Sequence, residues 1–588
     1  MPQQSLSIRK IKEVYVCGSV WVCCRTRSPV VARSVRRPFI AISRLLDGVN
    51  RLGAVRRNRT SSFLAFYNRF VMSSLWRTVH RIGLMSLMLA PFTMAADWTT
   101  FGHDPQRSGW AFEETTLSPA NVSGLELKWK SKLKNEFYKL SALTAPIVAS
   151  NVSTAHGLRS VVYVAGITGT VFALDAQTGE ELWTHTFRSV VLPGKGGYQG
   201  TFLCPNGITA TPVVDSSTGI LYLIAPDGAL YGLDLGGGNV RYGPVQFVAP
   251  FSKNWSLNLV DGTIYTVLTQ GCGGGISGFY AADVRNPHHP LIRQMLLSNT
   301  DTAGIWGRGG AIIGKNGRVY GSTADGKFDP ISGDYSNSVV AASLHDLSLV
   351  DYYLPPNWSS LNSRDLDLGA SSPVWFGWKN RNLLASGAKE GVVYLLDADA
   401  LGGSDHQTTL FTSPKLGNDR NVCCEGLGIW GGLSTARDDE GQTWLFVPMG
   451  GPPSINAPKF PNTNGDNQHG SIMAFKVVAD PKTQGPILEP EWVSGDFNLP
   501  DPVVIANGVV FALSTGENAH QEGGEEKRFL NTRPAVLYAL DAKTGRELYN
   551  SRNAMTGWVH FSGLALADGS VFAVDHDSTV YCFGLKSK

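Results

Sequence analysis

Two cysteines stand side by side at Cys423 and Cys424, within NVCCEGLGIWGG. A planar trans peptide holds neighbouring side chains apart, so joining these two sulfurs closes a small, strained ring. Strain of that kind belongs at functional sites; the alternative is that each sulfur pairs elsewhere or stays reduced. Oxygen donors for a hard cation occur in ADGKFDPISGD, where Asp325, Asp329 and Asp334 suit Ca²⁺ but lack the spacing of a known binding loop. GxSxG and HExxH are absent, which sets hydrolase chemistry aside, and there is no CxxCH to attach a haem.

Charge and targeting signals narrow the setting in which such groups work. Residues 1–71 carry 14 Lys and Arg against two acids, Glu13 and Asp47, whereas the chain beyond Arg81 holds 35 basic and 46 acidic residues, a net of about −11. Nucleic acid is therefore excluded as a partner of the folded part. Arg77, His80 and Arg81 precede an apolar run, Ile82 to Phe92, that ends in the small-residue site Thr93-Met94-Ala95. These are the three parts of a secretory signal peptide over residues 72–96, and the run is shorter than the roughly 20 apolar residues a membrane span requires. Met72 is thus expected to be the initiator and residues 1–71 a non-native or disordered basic extension, the alternative being a long transit-type extension, which the Arg- and Ser-rich, acid-poor composition also permits. Cleavage would leave no transmembrane span and place the protein in the bacterial periplasm or outside the cell. No lipobox cysteine follows the signal core, so a lipid anchor is not expected. In an oxidising compartment the remaining cysteines, Cys204, Cys272, Cys423, Cys424 and Cys582, are able to pair, and their odd number leaves at least one thiol free or bonded between chains.

The elements that hold these groups read as β-structure. With 65 Gly, 31 Pro and only 17% charged residues, the chain is rich in turns and core and lacks long amphipathic helical runs. From residue 125 it falls into units of about 40 to 60 residues, each a set of short apolar runs between Gly, Asp and Asn turns, the period of propeller blades. In VVYVAGITGTVFALDAQTGEELWTHTF, Val161 to Ala165 and Thr170 to Asp175 are expected strands joined by a hairpin, and a third strand ends near Trp183.

Ala173, Asp175, Thr178, Gly179 and Trp183 fit A-x-D-x-x-T-G-x-x-x-W, and Ala539, Asp541, Thr544 and Gly545 repeat it with Tyr549 in place of the tryptophan. This resembles the repeat signature of pyrroloquinoline-quinone (PQQ) type propellers, the quinoprotein alcohol dehydrogenase-like proteins. Degenerate copies stand at Gly232-Leu233-Asp234, Ala282-Asp283 and Leu396-Asp397. The resemblance extends over most of residues 98–588 through FGHDPQRSGW, GIWGRGG, DLDLGASSP, AKEGVVYLLDADALGG and HFSGLALADG. It implies that Trp183 and Tyr549 dock between blades while Thr and Gly make the turn. Innermost strands are placed near 143–149, 208–214, 255–260, 308–313, 370–376, 430–435, 500–505 and 560–566. The fold class is then all-β: a single eight-bladed propeller of four-stranded blades over residues 97–588. The last blade runs out after three strands, so Leu125 to Lys132 is expected to complete it and close the ring.

In the family that this chain resembles, the cofactor lies over the axis on the face that leads into the innermost strands. Residues ahead of those strands then ring one opening: Lys139, Asn206, Asn254, Trp306, Arg308, Asp365, Asp367, Trp430, Asn498 and His560. By that resemblance Trp306 or Trp430 stacks on a flat quinone, Arg308 pairs with a carboxylate, and Asp365 or Asp367 serves as Ca²⁺ ligand or as the base for a substrate hydroxyl. Cys423 and Cys424 fall on the same face and resemble the adjacent-cysteine ring that lies over PQQ in several alcohol dehydrogenases, there on a different blade. Cys204 and Cys272 lie in loops of neighbouring blades on that face and are expected to pair, with Cys582 a free buried thiol. Loops around 323–337, 449–469 and 514–533 are expected to form a lid. The dehydrogenases' calcium set of Glu, Asn and Asp is not found at matching positions. Two functions follow: a PQQ-dependent dehydrogenase that oxidises an alcohol or sugar hydroxyl and passes electrons to a separate acceptor, or a cofactor-free propeller that binds protein partners as a scaffold.

Overall fold

The computed structural model describes residues 97–188, 201–300, 302–520 and 525–586. The signal peptide and the basic extension fall outside them. Eight antiparallel sheets succeed one another along the chain and form an eight-bladed propeller. The first blade shows the pattern, with Ile147–Thr154 innermost, then Gly157–Ala165, Thr170–Asp175 and Glu181–Thr186. Thr170–Asp175 is buried along nearly its whole length and Gly157–Ala165 over its second half, where neighbouring blades sandwich them, whereas the outermost strand has no fully buried residue. Among the described residues no helix is long and apolar enough to cross a membrane.

The innermost strands of the other blades are Val213–Asp215, Asn258–Val260, Ile312–Ile313, Val374–Trp378, Ser434–Arg437, Val504–Ala506 and Ala565–Ala567. In blades three and six a short preceding segment, Lys253–Asn254 and Gly428–Ile429, already pairs with the second strand; in the other six the innermost strand begins a few residues later than the sequence suggests. The reason lies in the backbone ahead of them, where every blade places a non-glycine residue in the left-handed region: Lys139, Asn206, Phe251, Ala303, Asp365, Asn421, Leu499 and Phe561, with φ between +45° and +66°. Such a residue bends the chain and delays regular pairing.

The ring closes as expected. Leu125–Lys132 pairs antiparallel with Thr579–Leu585 and supplies the outer strand of the eighth blade. Between blades, the docking signature works across the gap. Asp175 accepts the backbone N–H groups of Gln177 and Thr178, which shapes the turn, and Gly179 sits at φ +72°. Trp129 of the eighth blade lies over Gly179 and donates its indole N–H to Ala176 O at 3.0 Å. A side chain at Gly179 would strike that ring. Trp183 in turn covers Gly238 and donates to Leu235 O at 2.9 Å, and Trp492 covers Gly545 and donates to Ala542 O at 2.9 Å. Asp541 holds the second turn through Lys543 and Thr544, while Tyr549 is partly buried against the core that joins blades seven, eight and one. Each tryptophan therefore docks on the turn of the following blade. Trp129 and Trp492 do this without the sequence signature.

The segment FGHDPQRSGW has a separate role. From Trp98 to Glu114 the chain meets the eight blades in order, bonding to Val148, Val214, Leu257, Ile313, Trp375, Thr435, Ile505 and Gly569. Most of these bonds use backbone groups at 2.7–2.9 Å. Arg107, only 3% exposed, donates from Nε to Gly309 O, from Nη1 to Thr100 Oγ1 and Phe101 O, and from Nη2 to Leu257 O. Burial lowers its pKa to about 9, so it stays charged at neutral pH. Replacing Arg107 with Met strands several buried carbonyls at about 1–3 kcal/mol each. The expected outcome is a urea midpoint lowered by an amount equivalent to at least ~3 kcal/mol; an unchanged midpoint would mean that the belt does not carry the ring.

Candidate functional site

Asp365, Leu499 and Phe561 among the left-handed residues, with Leu140, Lys253, Arg308 and Trp430 from the stretches that follow others, line a cavity of about 290 Å³ on the axis. Along the innermost strands the cavity residues come first and the belt contacts follow: Arg308 lines the cavity and Ile313 meets the belt, Trp430 lines it and Thr435 meets the belt. The belt thus lies beneath the cavity floor. Trp306, Trp255 and Trp430 supply aromatic walls, and Trp430 stacks on Phe561 at 14° with centroids 6.2 Å apart.

One end of the cavity is acidic. Lys389, almost fully buried, bridges Asp365 Oδ1 and Asp367 Oδ2 at 2.7 Å each, and Asp367 Oδ1 accepts the backbone N–H of Asp325 at 3.1 Å. Burial, then the Asp367 charge, pushes Asp365 up to about 7 and Asp325 up to about 6. Burial works on Asp367 in the same direction, but the Lys389 ammonium outweighs it and holds that carboxyl below the usual range. Lys389 also lies 5.0 Å from the Trp430 ring centre and 5.7 Å from that of Trp306.

The other end is basic. Lys253 lies 5.1 Å from the Trp255 ring centre and 5.9 Å from that of Trp306, and the Arg308 guanidinium stacks on Trp255 at 4.5 Å. Neither has an acidic partner within ion-pair distance among the described residues. Arg528 is paired with the buried Glu517, whose other oxygen accepts His560 Nδ1–H at 2.9 Å. Burial lowers His560 to about 4, leaving it neutral.

Comparison with known proteins now bears on this arrangement. Residues 98–241 match the family model "PQQ: Glucose/ethanol/alcohol dehydrogenase, beta-propeller domain". That stretch is similar to PQQ-type β-propellers, and the described residues as a whole form the eight-bladed ring. The chain is 22% identical over 358 residues to a 1-butanol dehydrogenase (cytochrome c) of Thauera butanivorans; the match covers 54% of this chain and spans about half, 48%, of that relative. In structure the propeller is similar to the quinohemoprotein alcohol dehydrogenase ADHIIG from Pseudomonas putida HK5 (TM-score 0.51, 13% identity, 84% of this chain and 81% of that one). It is also similar to a europium-containing methanol dehydrogenase (TM-score 0.52, 13% identity, 83% and 98%). At such identities the structural likeness speaks for the fold.

Of the residues singled out in sequence, the propeller brings Trp306, Arg308, Asp365, Cys424, Trp430 and His560 to one cavity. Asp367 is fully buried beneath it, both oxygens already taken, and does not line it. Lys139, Asn206, Asn254 and Asn498 do not line it either; Asn254 is tied to Thr209. The Asp325-Asp329-Asp334 grouping is not formed, because Asp329 caps Ser332 and pairs with Lys327 while Asp334 accepts the Asn299 N–H. Of the three long loops, 323–337 and 514–533 reach the cavity through Asp325 and Arg528, whereas in 449–469 Asn462–Thr463 pairs with the outer strand of the sixth blade. Lys253, Trp255, Lys389, Glu517 and Arg528 were not read from the sequence. A lysine beside the expected innermost strand, Lys253 next to Asn254, was the available signal.

Cys423 and Cys424 are bonded to each other, and Cys424 Sγ lies 3.5 Å from Asp365 Oδ2. Cys204 and Cys272 are joined with Cα atoms 5.4 Å apart, tying the loop before the second blade to a loop of the third. Cys582 is a buried thiol, pushed up to about 12 by burial. The carboxylate oxygens of Asp325, Asp365 and Asp367 lie within 4.8 Å of one another. Three carboxylates against one ammonium leave a deficit of two positive charges, which a divalent, oxygen-seeking cation fits. The bonded cysteine sulfurs do not serve as its ligands.

Asp325 and Asp365 hold their protons more tightly in the folded chain than near the ordinary 3.8. Their contribution to stability is therefore full below about pH 4 and is lost as the pH rises through about 6 and 7. The metal-free protein is expected to lose unfolding midpoint over that window, and Asp365→Asn to flatten the fall. The same slope in both proteins would refute the assignment.

Proposed function

We propose that this propeller is a PQQ-dependent dehydrogenase that oxidises the hydroxyl group of an alcohol or sugar. The observation that carries it is the axial cavity itself, which sets aromatic planes and a vicinal disulfide beside buried cations without acidic partners and a carboxylate cluster short of positive charge. That set of groups suits a flat polyanion together with a divalent metal. When bound, the quinone supplies acceptance of the two electrons and the hydrogen leaving the substrate carbon.

The chain's residues would do the rest. Trp306, Trp430 and the Cys423–Cys424 pair would bracket the ring, and Arg308 would hold a carboxylate. Asp325 and Asp365, which line the cavity, would hold the metal, with Ca²⁺ the hard cation their oxygens suit, and Asp367 would add its charge from beneath them. Asp365 faces the cavity with a pKa near neutrality, which fits a group that takes the substrate hydroxyl proton. Asp367, fully enclosed, would act through Lys389 as a positioning residue rather than by touching substrate. Electrons would leave to a separate acceptor. Export through residues 72–96 would place the reaction outside the cytoplasm, and N-terminal sequencing of native protein reads that directly.

Reconstitution with PQQ and Ca²⁺ tests the proposal. Expected are saturable quenching of tryptophan fluorescence, a new absorbance band and dye-linked oxidation of one or more members of an alcohol panel. Asp365→Asn should keep the quenching and lower kcat by about 10²-fold or more. Absence of both spectral change and saturable binding would leave a cofactor-free scaffold as the better reading.

A further inference from the structure

The basic end of the cavity carries more positive charge than the described protein balances. Lys253 is 9% exposed, flanked by the rings of Trp255 and Trp306, and lines the cavity without a carboxylate or carbonyl partner among the described residues. Arg308 packs against the same Trp255 ring at 4.5 Å and lines the same cavity. The nearby acids are committed: Glu517 serves Arg528 and His560, and Asp501 accepts the Gly563 N–H with one oxygen while the other is buried without a partner. Lys389 faces Trp306 as well, but its charge is taken by the acidic cluster.

An unpaired ammonium in a low-dielectric site is relieved in one of two ways, by shedding its proton or by receiving an anion. A guanidinium has only the second route, since it does not deprotonate in proteins. We propose that Lys253 and Arg308 form a carboxylate-binding subsite, and that filling it is linked to uptake of one proton by Lys253. This rests on the reading of the axial cavity as a ligand site, though not on the ligand being a quinone.

Burial, and then the charges of Arg308 and Arg528, bring the Lys253 amine down to about 7, so at pH 8 most of it is neutral in the free protein. His560 does not compete for the proton, since burial keeps it neutral, and burial pushes Asp501 up to about 7, so it gives Arg308 only a partial counter-charge. A carboxylate arriving between Lys253 and Arg308 restores the preference for ammonium. The Arg308 fork donates to both carboxylate oxygens, and the flanking indoles suit a carboxylate carried on a flat ring.

Benzene-1,3,5-tricarboxylate, which has no quinone and no redox chemistry, is the probe. Calorimetric titration of the full chain at pH 8 in buffers of different ionisation enthalpy should show salt-sensitive binding with about one proton taken up per ligand. Lys253→Met should weaken binding by about tenfold or more and abolish the uptake. Lys253→Arg, charged from the start, should keep the affinity without the uptake, which separates lost charge from lost folding. Arg308→Met should weaken binding and leave a smaller uptake, because Lys253 without that neighbouring charge keeps more of its proton in the free protein. Uptake that survives Lys253→Met, or equal affinity in the wild type and both methionine variants, overturns the proposal. Displacement of the probe by PQQ with Ca²⁺ would assign the subsite to the cofactor's carboxylates; Lys253-dependent binding of lactate to the PQQ-loaded protein would assign it to a hydroxy-acid substrate. Probe binding without PQQ binding sinks the quinone reading alone. PQQ binding indifferent to Lys253→Met and Arg308→Met sinks the subsite alone.

Discussion

A ring of eight sheets leaves eight innermost edges facing one axis, and unpaired backbone groups buried there are costly. The segment from Trp98 to Glu114 meets that demand blade by blade, with backbone groups of its own and with the one buried guanidinium of Arg107. The rest of the architecture follows from this belt. It ties blade one to blade eight along a second path, independent of the strand Leu125–Lys132, and it gives the central channel a floor. A floored channel becomes a cavity on the face where the chain turns into each blade.

That turning explains why chemistry gathers where it does. Eight left-handed residues bend the backbone toward the axis, so the side chains just beyond them, Arg308, Trp430 and others, point at a common space before the strands settle into their ladders. Such conformations cost energy for Lys139, Phe251 or Leu499, and they persist because the blades on either side and the belt below leave the chain no other course. Backbone strain at the rim and tight bonding at the floor are two parts of one arrangement.

Much of the fold was legible in the sequence because its signals are local. Asp175 and Asp541 shape turns through their own neighbours, and Gly179 and Gly545 mark where a side chain would strike a tryptophan. The direction of docking was not legible, since it depends on which blade lies next; Trp129 and Trp492 carry no signature at all. FGHDPQRSGW stood out, but its role rests on backbone atoms that any residue would offer. For the site, counting forward from the repeats reached Trp306, Arg308, Asp365 and His560. It could not reach Lys389 or Arg528, which come from the loops between the middle strands of blades five and seven. Nor could it tell Asp365 from Asp367: two residues apart, one faces the cavity and the other is sealed beneath it.

The division of charge is the property that makes the cavity able to bind. Were Lys253 and Arg308 within reach of Asp325 and Asp365, the two ends would neutralise each other and leave little for a ligand to do, since opposite charges at about 4 Å in such surroundings attract by roughly 4 kcal/mol. Trp306 keeps them apart. Its ring packs against one cation of each end, Lys253 at 5.9 Å and Lys389 at 5.7 Å. The indole is held in turn by backbone: the N–H groups of Trp306 and Gly307 both donate to Gly369 O at 3.0 Å, just past the loop that carries Asp365 and Asp367. The wall and the acids it shields are therefore fixed to one another. A ligand with negative charge at one end and metal-binding oxygens at the other meets both halves of this field at once, and a neutral ligand meets neither.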